Sequence, residues 1–242
     1  MRIGTFNIQH GRNHRFYLDT GCETIDLAGV AQVLREAQVD ICGLNEVRNQ
    51  EQVAGLCNQA RVIAEELGYH YVFAKAIDHR GGEYGNALVS RYPIIAHYTV
   101  PISVPVAQRA AKASRTYEDR VLLVATVETP TAPVTVMVCH FGLNPDEIRA
   151  AIDTVGAERQ KLAGRVLLMG DFNLTPDSPY YGELAGEWMD TAVDPARPLT
   201  FPSHAPDRKI DYIFSGEPLA ITDVTAPTVT QSDHLPYIVT IE

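Results

Sequence analysis

The stretch VLLMGDFNLTP, residues 166–176, opens with an apolar run of strand character, Val166, Leu167, Leu168 and Met169. The run breaks at Gly170 and hands Asp171 and Asn173 to the turn behind it. A carboxylate and a carboxamide two residues apart at a rigid strand end suit a hard cation and an oxyanion, because both engage oxygen-rich species with little reorganisation. Asp-x-Asn is also what an ordinary turn uses, so the reading depends on whether other stretches deliver groups to the same place.

Several do. Residues 2–8 read as a first strand closing on Asn7, and residues 39–44 (VDICGL) as a buried second strand followed at once by Asn45 and Glu46. Residues 121–128 and 134–139 read as a hairpin whose second strand delivers His140. Asp211 sits among Ile210, Tyr212 and Ile213, where an acid needs a partner, and Asp233 with His234, just before a last strand at 237–241, can supply one. Helical spacing is expected over 23–37, with Thr24 as cap, over 52–67, stopped by Gly68, and over 145–162 and 179–188. Residues 69–74, 86–90, 94–104 and 219–225 read as further extended segments, and 78–85 as a loop holding His79, Arg80 and a glycine pair.

The 242 residues, 45% hydrophobic and 21% charged, are ample for a buried α/β core and carry no low-complexity tract. With 20 Lys and Arg against 30 Asp and Glu, the formal charge of -10 opposes non-specific binding to a long polyanion. No apolar run has the length of a membrane span or a secretory core, so a cytoplasmic protein without stable membrane insertion or an obligate protein partner is expected. Cys22, Cys42, Cys57 and Cys139 show no C-x-x-C spacing, and free thiols are expected.

Taken in order, TFNIQHG, GLNEV, NALVSRYPI, VCHFG, GDFNLTP, RKIDYIF and SDHLPYIV resemble the endonuclease/exonuclease/phosphatase superfamily over nearly the whole chain. The resemblance implies one domain, 1–242, with a deoxyribonuclease I-like fold: a four-layer α/β sandwich of two packed mixed β-sheets flanked by helices. It implies Mg²⁺, or Mn²⁺, bound by Glu46, with Asn7 and Asp233 in the same metal network. Asp171 resembles the acid that orients or deprotonates water, and Asn173 the amide that holds a phosphate oxygen. His234 matches the histidine beside the scissile phosphate, oriented by Asp211, and His140 a position that assists the leaving group in some branches. The assignment of base and acid stays open at this stage.

The implied activity is metal-dependent hydrolysis of a phosphate ester. A phosphodiester's own charge repels nucleophiles, so catalysis needs charge neutralisation, an aligned water and a proton for the leaving oxygen. Basic residues are expected to flank the site and bind substrate: Arg12 with His10, His14 and Arg15, then His79 and Arg80, then Arg115 with Arg109 and Lys112, and Arg120. The substrate expected from these features is a small or single-stranded phosphate ester. A nuclease acting on DNA or RNA is the rival reading, and a non-catalytic phosphate-binding module a distant third.

Overall fold

The computed structural model describes residues 1–54, 56–112 and 116–242. In chain order its strands are β1 (Arg2–Asn7), β2 (Ile41–Asn49), β3 (His70–His79), β4 (Gly82–Ser90), β5 (Ile94–Ile102), β6 (Arg120–Val127), β7 (Val134–His140), β8 (Val166–Asp171), β9 (Met189–Asp190), β10 (Asp211–Ser215), β11 (Ile221–Thr225) and β12 (Tyr237–Ile241). The helices are α1 (His14–Thr20), α2 (Leu27–Glu36), α3 (Gln59–Leu67), α4 (Val106–Ala111), α5 (Pro145–Arg159) and α6 (Pro179–Glu187). The strands form two six-stranded sheets, ordered β11-β12-β1-β2-β4-β3 and β5-β6-β7-β8-β10-β9. Each is mixed by a single parallel pair near its middle, β1 with β2 and β7 with β8. Parallel neighbours need a crossover, which α2 and α5 provide.

Three apolar layers hold these elements together. One fills the space between the sheets, with Ile3, Ile41 and Val239 facing Val136, Leu167 and Met169. A second packs the outer face of the first sheet on Val30, Leu34, Ala60 and Ile63 of α2 and α3. The third packs the other sheet on Ile148, Ile152 and Val155 of α5 and on Tyr181 and Leu184 of α6. The result is the four-layer α/β sandwich, helix, sheet, sheet, helix.

The unbroken apolar run of β8 follows from its place between two of these layers. Leu167 and Met169 join the inter-sheet core, while Val166 and Leu168 join the helix-covered one. Gly43 lets the sheets close up, because a Cβ there would lie 2.8 Å from Met169 Sδ.

The structure trims three sequence expectations. The helix expected over 23–37 starts at Leu27, capped by Asp26 rather than Thr24, since the Asp26 carboxylate accepts the Gly29 N–H at 2.8 Å. The helix expected over 52–67 starts at Gln59, because the Asn58 side chain takes the Arg61 N–H at 3.1 Å and ends the preceding turn there. The loop expected over 78–85 is drawn into a β3–β4 hairpin, paired His79 to Gly82. An unexpected helix, α1, rises from the polar run after Asn13, whose side chain caps it. Replacing Asp26 with Ala is expected to lower unfolding free energy by about 1 kcal/mol, read by urea denaturation.

The four cysteines are free. Among the described residues no helix is long and apolar enough to cross a membrane.

Candidate active site

Side chains alternate along a strand, so the inward row of each strand ends on a predictable residue. Leu167 and Met169 are followed on the inter-sheet side by Asp171, Val136 and Val138 by His140, Ile213 is preceded by Asp211, and Ile3 is followed two steps on by Asn7. Register brings them together: His140 pairs with Asp171 and Asp171 with Asp211 across β7, β8 and β10. The site is the open end of the core between the sheets.

Asp171 lies at its centre and is buried. One carboxylate oxygen accepts from Asn7 Nδ2 at 3.0 Å and stands 3.5 Å from His140 Nε2 and 3.6 Å from His234 Nε2. The other accepts the Asn173 N–H at 2.9 Å. Burial raises the Asp171 pKa to about 7, with the His234 charge opposing and the Asp211 charge adding to the rise. A base that must take a proton near neutral pH is best placed there.

Gly170 makes this approach feasible. Its φ of +147° suits glycine, and a Cβ would sit 1.8 Å from the Cys139 carbonyl oxygen.

His234 and Asp211 form a buried pair, with His234 Nδ1 donating to Asp211 Oδ2 at 2.9 Å. Burial opposes the imidazolium, but the Asp211 and Asp171 charges prevail and raise its pKa to about 10. His140 has the opposite setting. Burial, Arg120 and His234 hold it well below the ordinary imidazole value.

Glu46 reaches the site by a different device. The residues of β2 alternate between the inter-sheet and helix-side layers, and Glu46 would continue the helix-side row of Cys42 and Leu44. Between the register pairs Leu44–Ala87 and Val47–Gly85 a bulge intervenes, and Glu46 takes a left-handed φ of +59°. Its carboxylate accepts from Asn7 Nδ2 at 3.1 Å and from the hydroxyl of the half-buried Tyr84.

Asn7 therefore links Glu46 to Asp171 through its amide nitrogen, while its oxygen accepts the Gln9 N–H at 3.0 Å. In this arrangement it braces two carboxylates rather than turning an oxygen to an ion.

Asp233 accepts from Gln9 Nε2 at 2.9 Å. Burial raises its pKa, and the Glu46 charge pushes the same way. Two mutually repelling carboxylates at the rim fit a hard divalent cation, whose ligands are oxygens of this kind. Asp171, Asp211 and His234 also bring ligand atoms within 4.8 Å of one another. There the His234 Nδ1 bond to Asp211 already occupies the group, and the histidine's high pKa opposes the neutral form that a metal requires.

A cavity of about 220 Å³ opens over these groups, lined by Glu46, Tyr84, Glu118, Arg120, His140, Leu143, Asp171, Asn173 and His234. Larger grooves lie elsewhere, one of about 530 Å³ between the 192–199 loop and β11 and one of about 480 Å³ between α5 and α6, and they hold none of these residues.

Of the basic residues expected to bind substrate, Arg120 lines the cavity, ion-paired to Glu118 at 2.7 Å. His79 packs its ring tilted against that of Tyr84, 5.4 Å between centroids, and lies outside the cavity lining, and Arg80 follows it at the hairpin turn. Arg12 lies over the Tyr17 ring, away from the lining. Arg115 lies outside the described residues. Arg109 pairs with Asp119 and Lys112 with Asp146.

Sequence reasoning passed over Asn45, Asn86 and Tyr84. Asn45 Oδ1 accepts the Asp171 N–H at 2.9 Å, and Asn45 Nδ2 donates to the Cys139 carbonyl and to Asn86 Oδ1. Asn86 in turn donates to the Val121 carbonyl, so two buried amides tie the sheets together behind Asp171. Polar residues inside apolar strands were the available signal.

Both central ionisations give stability the same sign with pH. A group whose pKa rises on folding stabilises fully below its unfolded value and loses that contribution up to its folded one. In the metal-free protein, unfolding free energy is expected to fall from about pH 4 to 7 through Asp171 and from about pH 6.5 to 10 through His234. Denaturant titrations with chelator across that range check this, and Asp211→Asn should flatten the upper window.

A sequence profile of the Endonuclease/Exonuclease/phosphatase family matches residues 4–234. Among solved structures, a family protein from Leptotrichia buccalis superposes with a TM-score of 0.77 at 22% identity, covering 100% of this chain and 99% of its own. A mannosyl-6-phosphatase from Bacteroides thetaiotaomicron gives 0.73 at 18% identity, with 100% and 99% covered. ANGEL2, a 2',3'-cyclic phosphatase, gives 0.71 at 16% identity, with 99% and 94% covered. No curated protein matches the sequence.

Proposed function

The chain belongs to the endonuclease/exonuclease/phosphatase family, and from that premise we propose that it is a divalent-metal-dependent hydrolase of small phosphate esters. The observation that carries the proposal is the buried Asp171 carboxylate, within 3.6 Å of two imidazole nitrogens and joined through Asn7 to Glu46.

In this reading Asp171 orients a water and takes its proton, which its pKa of about 7 permits near neutrality. His234 stays protonated through the Asp211 charge and presents its Nε2–H to a phosphate oxygen or to the leaving oxygen. Asn173 adds an amide donor, held in orientation by its bond to the Phe141 carbonyl at 3.0 Å. Glu46 and Asp233 would hold Mg²⁺ or Mn²⁺, with Asn7 bracing Glu46. When bound, the ion supplies positive charge to the phosphate oxygens and lowers the pKa of water.

The preference for a small substrate rests on the cavity. Its volume of about 220 Å³ is below that of drug-sized pockets, and Glu118 puts a carboxylate on its wall. With Arg109 and Lys112 matched by acids, the electrostatic basis of a track for a long polyanion is weakened at those two residues. Two proteins that share the fold are a mannosyl-6-phosphatase and a 2',3'-cyclic phosphatase, which agrees with this reading.

The test is a panel of sugar phosphates, aryl phosphomonoesters and diesters, and oligonucleotides, assayed with Mg²⁺, Mn²⁺ and EDTA. Turnover of the small esters that EDTA abolishes is expected. Oligonucleotide cleavage at a hundredfold higher kcat/KM would transfer the assignment to a nuclease.

A further inference from the structure

The two imidazoles beside Asp171 are held at Nδ1 by partners of opposite charge. His234 Nδ1 meets the Asp211 carboxylate at 2.9 Å, whereas His140 Nδ1 meets Arg120 Nη1 at 3.2 Å. A guanidinium offers only N–H donors and stays protonated in proteins. A ring nitrogen facing it must therefore carry a lone pair, which puts the proton of a neutral imidazole on Nε2.

We propose that Arg120 is a positioning residue that holds His140 in its Nε2–H tautomer, making His140 a fixed hydrogen-bond donor to the substrate's phosphate oxygens. His140 is then no proton shuttle. Asp171 and His234 carry the proton transfers.

A competing contact decides how firmly this holds. Asn173 Nδ2 lies 3.3 Å from His140 Nε2, and its bond to the Phe141 carbonyl fixes that amide with nitrogen, not oxygen, toward the ring. The Asn173 amide would favour the other tautomer. Arg120 outweighs it, because a charge-assisted hydrogen bond is roughly twice as strong as a neutral one. The Asp171 carboxylate, 3.5 Å from Nε2, adds its pull for a proton on that nitrogen. Double protonation is opposed by burial and by the Arg120 and His234 charges. Arg120 is itself anchored by Glu118 at 2.7 Å and is largely buried, so its guanidinium is fixed.

The catalytic consequence rests on the phosphate-ester reading, whereas the tautomer does not, so the two fail separately. The direct test is long-range ¹H–¹⁵N correlation of the ¹⁵N-histidine-labelled, metal-free wild-type protein, with His140 assigned by its loss in His140→Gln. A neutral Nε2–H pattern that does not change from pH 5.5 to 8.5 is expected. An Nδ1–H pattern, or a ring that protonates in that range, would overturn the proposal.

Arg120→Met should release the ring, which then shows Nδ1–H or titrates, and should lower kcat/KM by about ten- to a hundredfold. Arg120→Lys, which keeps a cationic donor, should retain the Nε2–H pattern. A merely structural Arg120 would leave the tautomer unchanged in both variants.

Discussion

Asp171→Asn is expected to reduce kcat/KM on the best small phosphate ester by about a thousandfold, within the range that a positioned acid or base contributes. The amide has the shape of the carboxylate but only one acceptor oxygen, so it keeps one of the two bonds, to Asn7 Nδ2 or to the Asn173 N–H, and turns its NH2 to the other donor. What disappears is the capacity to take a proton. The variant also loses the Asp171 charge that helps keep His234 protonated, which compounds the defect. Stability should change by no more than about 2 kcal/mol, because removing a buried ionised carboxylate offsets the one hydrogen bond that the amide gives up. Steady-state kinetics with a thermal melt on the same preparation check both parts. A folded variant within tenfold of the wild type would remove Asp171 from the mechanism.

The second large effect is structural. The Lys209 side chain is fully buried, with Nζ 3.2 Å from Asp190 Oδ2 and over the rings of Tyr212 and Tyr237 at 4.4 and 4.9 Å. Burial lowers its pKa and the Asp190 charge opposes that fall, so the pair stands or falls together. Lys209→Met leaves Asp190 largely buried with the Tyr181 hydroxyl and the Ala192 N–H as its remaining partners. Removing one member of a buried pair costs about 3–5 kcal/mol. For a chain of this length the expected fall in Tm is about 10 °C. The double variant Lys209→Met/Asp190→Asn should recover much of the loss, because no unpaired charge remains. Equal loss in both variants would assign the effect to packing around the rings. Asp211 lies two residues beyond Lys209, so activity should fall further than stability alone dictates in the single variant.

Much of the fold was legible because the chain's apolar runs are unambiguous. β8 reads as a strand from four successive apolar residues, and α5 begins at Pro145, where the helical spacing placed its start. Boundaries failed where a polar side chain took over a backbone partner: Asp26 and Asn58 began helices several residues later than apolar spacing suggested. β3 and β4 ran longer than expected because hairpin pairing satisfies their backbone whatever their side chains prefer.

By itself the sequence determined which residues end the inward rows of the strands, because period-two alternation carries Asn7, His140, Asp171 and Asp211 to one edge of the core. Only the tertiary structure decided how they act on one another. Alternation alone would turn Glu46 to the helix side, and a bulge opposite Asn86 reverses it. Two histidines that look equivalent in the chain acquire opposite characters from Asp211 and Arg120, residues 23 and 20 positions away. The physical reason is range: alternation is set by local backbone geometry, whereas a side chain's protonation is set by burial and by charges that only the folded chain brings near.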